Sequence, residues 1–265
     1  MQRSKAVLLA LGCLIGLSVH SLTGASAAVR VNHANCGETS PKLREGGPAP
    51  AGPASPSEFV AVERFLSQIE RPPVAYQARR RLEASSEKLK ESAWMEAVTE
   101  YDPASGFRYT IVAQGGSERI QRRVLKSVLE AEKENATHAE WRKGHLSREN
   151  YDFNFGGRTG SGMLKMQPNP RRQDSRLVNG EALLMAASGD LVRVEGRLSK
   201  SPSFWVKWVN VSRSYSPVAG TMMPISIDST ADVRIAGVST FAMTYDYQMV
   251  NGHAVNAAPR VLASR

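Results

Sequence analysis

The stretch Ser201–Tyr215, "SPSFWVKWVNVSRSY", decides how the rest of the chain is read. Its β-branched and aromatic residues predict one long strand. In its first half Phe204, Val206 and Trp208 point one way, and Trp205, Val209 and Val211 point the other. A strand with one face in water alternates apolar and polar residues, so this one is covered on both sides. Phe204, Val206 and Trp208 are assigned to the interior of a sheet. Trp205 is assigned to its outside, as an external anchor for another surface.

Working outward, the neighbouring segments also read as strands. They lie near residues 151–155, 162–167, 176–187, 190–199, 204–216, 221–229 and 231–249, separated by Gly, Pro, Asn or Asp. Neighbours so close in sequence pair antiparallel, because parallel pairing needs long crossovers. Upstream, Val74–Ala84 alternates, and the run from Ser92 to Gly116 reads as a hairpin turning at Pro103 and Gly106. In the final strand Phe241, Met243, Tyr245, Tyr247 and Met249 share one side, and Thr240, Ala242, Thr244, Asp246 and Gln248 the other. The sheet therefore has a Met- and aromatic-rich face and a polar face. Met185 and Met223 join the former.

Two helices complete the plan. Ser57 can cap the first, in which Phe59, Val62, Phe65, Leu66 and Ile69 recur at helical spacing up to Pro72-Pro73. The second runs over 117–135, capped by Ser117, with Ile120, Val124, Val128 and Leu129 on one stripe and Arg122, Arg123, Lys126 and Lys133 opposite. The fold class is α+β: a curved antiparallel meander of about nine or ten strands, an incomplete barrel, with both helices on its concave face. The single domain spans 57–255, followed by a tail at 256–265.

The amino terminus sets the compartment. Arg3 and Lys5 precede the apolar run Ala6–Val19 and the small residues Ala25–Ala27. That is the pattern of a secretory signal peptide over 1–27, cleaved near Ala27. The run is shorter than the ~20 residues a membrane-spanning helix needs. Lipidation at Cys13 is the alternative. Residues 28–56 carry Pro41, Pro48, Pro50, Pro53 and Pro56 and few large apolar groups, as a flexible tether does. The expected location is the periplasm. Loss of Arg3 and Lys5 lowers the net charge from +9 to +7. An excess of positive charge favours anionic surfaces, peripheral membrane contact among them, and export argues against nucleic acid. Only Cys36 remains after cleavage, so no internal disulfide is expected.

No H-E-x-x-H set, G-x-S-x-G elbow or Walker loop occurs. No enzyme activity, metal or cofactor is expected. The stretches "YQARRRLEA", "GFRYTIVAQGGSERIQRRVL", "ENYDF", "LVRVEGRLSKSPSFWVKWV" and "DVRIAGVSTFAMTYDY" resemble a family of exported bacterial proteins labelled outer-membrane lipoprotein-sorting-like. The resemblance runs from about Phe59 to Gly252. The family is related in fold to the periplasmic lipoprotein carriers, incomplete barrels whose helices form a lid over an apolar interior. The resemblance implies a carrier or binder of lipid or lipidated protein. Its ligand would be lined by Phe204, Val206, Trp208, Phe241, Met243, Tyr245, Tyr247, Met223 and Met185. Ile120, Val124 and Val128 would form the lid and Gly115-Gly116 its hinge. The alternative is a non-catalytic envelope interaction or sensor module with a filled core, meeting an envelope protein partner through its outer surface.

Overall fold

A computed structural model describes residues 22–23, 56–69, 74–137 and 140–255. The expected signal peptide apart from residues 22–23, the expected tether up to residue 55, Cys13, Cys36, the Ser57 side chain and the tail 256–265 lie outside the described residues.

After the two-residue strand β1 (Leu22–Thr23), the chain forms helix α1 (Pro56–Ile69) and the strands β2 (Tyr76–Ser86), β3 (Glu91–Asp102) and β4 (Gly106–Gly116). Helix α2 then runs through Glu118–Ile120, a π-helical turn Gln121–Leu125, and Lys126–Thr137, and a 3-10 turn follows at Glu140–Gly144. The strands resume with β5 (Tyr151–Arg158), β6 (Leu164–Pro170), β7 (Val178–Leu184) and β8 (Leu191–Leu198). They end with β9 (Val206–Val218), β10 (Thr221–Val233), β11 (Gly237–Val250) and β12 (His253–Ala254).

All pairings are antiparallel, in the order β4-β3-β2-β11-β10-β9-β8-β7-β6-β5, with β1 beside β10 and β12 beside β11. The result is an open, curved sheet with two helices. It is two meanders, not one. Pairing of β11 with β2 joins them, from Ser239↔Ser86 to Val250↔Tyr76. This leaves β4 and β5 at opposite edges. The segment between them must cross the sheet, and that segment carries α2. The pairing of β1 falls in the expected signal peptide, so a cleaved chain would lack it.

Bulges bend the sheet and reset its faces. One lies between Asp232 and Val233, opposite Trp208 and Val206. An extra residue there changes which side chains point inward. Val206, Val209, Val211 and Arg213 are buried, while Trp208 and Trp205 are half-buried. Phe204 is 74% exposed, so its interior assignment is corrected: it sits in the loop before β9, ahead of the ladder. A second bulge separates Tyr247 from Met249. Tyr247 stays inside, Val250 takes the next inward place, and Met249 turns out to solvent. Met185 is exposed as well, in the turn between β7 and β8.

The helices bury the expected stripes in part: Phe65, Leu66, Ile120, Val128 and Leu129 are covered, but other positions differ. In α1 the covered residues are Glu58, Ala61, Phe65, Leu66 and Gln68, and Phe59 is exposed. In α2 the π turn inserts one residue into the helical repeat. The inward position moves from Val124 to Leu125, which is fully buried with Val128 and Leu129, while Val124 is half-buried. Ser117 makes no side-chain cap and instead donates to Glu91 Oε2 at 2.8 Å. Gln121 Nε2 donates to the Gly116 carbonyl at 2.9 Å, anchoring the helix start.

Candidate functional site

The sequence YQARRRL places Tyr76, Ala78, Arg80 and Leu82 in one phase of β2, and all four are buried. Arg80 is thus a full charge set among apolar neighbours beneath α2. Isolated charge in such a place is costly, and its partners explain why it persists. Arg80 Nη1 donates to Glu132 Oε2 at 2.6 Å and Nη2 to Glu132 Oε1 at 2.9 Å, a two-pronged bond to helix α2. Nη2 also donates to the Tyr76 hydroxyl, which in turn donates to Glu132 Oε1 at 3.3 Å. The guanidinium carbon lies 4.6 Å from the Tyr245 ring centre and 5.2 Å from that of Phe107, within cation–π range. Tyr109 on β4 adds a second tie, donating to Glu130 of α2 at 2.5 Å.

The electrostatics follow from that geometry. Burial works against the charge on Arg80, but Glu132 and the facing phenols outweigh it, so its pKa lies well above the ordinary value. Burial raises the pKa values of Tyr76 and Tyr247 well above that of a free phenol, and also raises that of Tyr245. A second buried arginine, Arg213 on β9, is raised as well. Burial opposes its charge, and Tyr215, Tyr245 and Glu132 outweigh that opposition. Interior polarity of this kind was readable only as an alternation phase: Arg80 stands in step with Ala78 and Leu82, and Arg213 with Val209 and Val211.

Of the expected lining residues, Phe241, Met243, Tyr247, Met223 and Val206 are covered by neighbours, Tyr245 and Trp208 are half-buried, and Phe204 and Met185 are outside. An open apolar space lies elsewhere among the described residues, at the end of the strands where α2 begins. It is a cavity of about 210 Å³, lined by Ala84, Leu89, Ile120, Val124, Val233 and Ala236 among others. Arg119 and Arg123 stand at its edge. Two of the three expected lid residues, Ile120 and Val124, therefore line a cavity, while Val128 is core.

Gly115 and Gly116 belong to the ladder, opposite Trp94 and Ala93. A Cβ on Gly115 would lie 2.7 Å from Trp94 Nε1, and one on Gly116 would lie 2.3 Å from the Ser92 carbonyl oxygen. Gly116 also has φ +84°, a conformation favouring glycine. The two glycines let the chain pass under Trp94 and turn into α2. They are held by pairing rather than hanging as an open hinge.

These features define the class: an open antiparallel half-barrel whose concave face is closed by helices, one of them tied down by a buried ion pair. Among solved structures the chain is similar to a LolA superfamily protein from Nitrosomonas europaea. The two are 10% identical, with a TM-score of 0.36, and the match covers 78% of this chain and 97% of that one. No family model and no curated protein matches the chain.

Proposed function

We propose that the chain is a non-catalytic periplasmic carrier or binder of lipid or lipidated protein, and that an acyl chain enters beneath the first turns of α2. The observation that supports this reading is the apolar cavity of about 210 Å³ between α2 and the sheet. Pockets that hold a whole small ligand run to roughly 300–1,000 Å³. The cavity accepts part of an acyl chain, and α2 must yield for the rest. Arg80–Glu132 suits that role, because a polar tie can break and rehydrate where a wholly apolar seam would stay closed.

Native mass spectrometry of protein from its own periplasm, with uptake of a fluorescent fatty-acyl probe, tests the reading. Lipid adducts and probe uptake are expected, with at least tenfold weaker uptake in Val124→Asp, which sets a carboxylate in the cavity wall. Apo protein alone together with no probe uptake overturns it.

The covered state of Phe241, Met243 and Met223 favours a second reading, an interaction module whose Met-rich face is its own core. A stoichiometric envelope protein recovered by crosslinking, without extractable lipid, would support that alternative.

A further inference from the structure

We infer that the end of the half-barrel where the cavity opens is a docking surface for an anionic lipid bilayer. Three segments remote in sequence meet there. Phe204, the most exposed large apolar side chain among the described residues, stands in the β8–β9 loop with its ring against Trp205, centroids 5.6 Å apart. Arg234, in the β10–β11 turn, donates through Nε to the Phe204 carbonyl at 2.9 Å and lies over the Phe204 ring at 4.7 Å. Ile235 and Val238 follow it, 47% and 41% exposed. The β2–β3 turn closes the group, since Glu87 N donates to the Val238 carbonyl at 3.0 Å and Lys88 packs beside Gly237.

The charge at this end fits one partner chemistry. Lys88 and Lys90 in the β2–β3 turn, Arg119 and Arg123 at the cavity, and Arg234 over Phe204 bring positive charge to this end. The nearby carboxylates are fewer: Glu87, Glu118, Glu91 (paired with Arg119 at 2.9 Å) and Asp232 (paired with Lys207 at 2.8 Å). Exposed aromatic and aliphatic side chains ringed by cations match the bilayer interface, where rings settle at headgroup depth and Lys or Arg meet phosphates. The cavity shares this rim through Ile235, Arg119 and Arg123, so docking would turn its mouth toward the lipid. The inference does not depend on the carrier reading. Vesicle partitioning tests the rim, and probe uptake in solution tests the cavity.

The test is co-sedimentation of the natively processed chain with phosphatidylglycerol–phosphatidylethanolamine vesicles and with phosphatidylcholine vesicles. Binding to the anionic vesicles should be at least tenfold stronger and should fall steeply with salt. Phe204→Ser combined with Ile235→Ser should weaken it at least tenfold. Lys88→Glu should weaken it at least fivefold, since one cation near an anionic surface is worth roughly that factor. Met185→Ser, at the opposite end of the strands, should change nothing. Thermal melts will show that the exposed-site variants fold. Equal binding to both vesicle types, binding unaffected by the Phe204/Ile235 changes, or an equal loss with Met185→Ser overturns the inference. A chain that ignores both vesicle types also overturns it and leaves the rim to a protein partner.

Discussion

Breaking the Arg80–Glu132 tie should cost stability unequally from its two ends. Glu132→Leu leaves a guanidinium with no exposed surface and no carboxylate partner, whereas Arg80→Met leaves a carboxylate whose side chain retains 13% exposure and can rehydrate by a small shift of α2. Removing one partner of a buried pair costs about 3–5 kcal/mol when the remaining charge stays buried. Glu132→Leu should therefore cost about 3 kcal/mol, and lower Tm by roughly 6–12 °C for a domain of this size. Arg80→Met should cost about 1–2 kcal/mol, mostly from lost contacts with Tyr76, Phe107 and Tyr245. The double variant should return to within about 1 kcal/mol of the parent, because an apolar pair of similar volume replaces the ions. Urea denaturation of the four proteins gives the coupling energy directly. A parallel titration with an apolar dye reports whether Glu132→Leu loosens α2 while the sheet stays folded. Additive single effects, or a larger cost for Arg80→Met than for Glu132→Leu, would refute the claim that burial of this pair holds the helix.

Tyr76 and Tyr247 are raised well above the ordinary phenol value and Tyr245 is raised, in each case chiefly by burial. Their neutral forms favour the folded state. That stability is complete below pH ~10, the ordinary phenol value, and is lost as the pH rises above it and the unfolded phenols ionise. Absorbance titration of the seven tyrosines should show a late, cooperative phase coincident with unfolding, and a smooth non-cooperative curve centred near pH 10 would count against it. Gly116→Ala should lower stability by at least about 1–2 kcal/mol, because a Cβ there meets the Ser92 carbonyl at 2.3 Å in a positive-φ conformation. Parent-like denaturation of that variant would restore the open-hinge expectation for Gly115-Gly116.

The sequence by itself determined the strands, the two helices and the Met-rich side of β11, because alternation and helical spacing are local and survive any tertiary arrangement. The antiparallel class followed from loops too short for crossovers. The alternation of Val74–Ala84 did not single out Arg80, whose apolar phase and whose partner Glu132, 52 residues away, emerged only from the structure. Three matters were decided only by the tertiary structure. Pairing of β2 with β11 turned a meander into two joined meanders and sent α2 across the concave face, and such long-range pairing leaves no local trace. Bulges at Asp232/Val233 and Tyr247/Met249 changed which residues face in, placing Val209 inside and Met249 out, because one extra residue inverts a period of two. The π turn at Gln121–Leu125 moved the core position from Val124 to Leu125 and left Val124 in the cavity wall, a one-residue shift that helical spacing alone does not reveal.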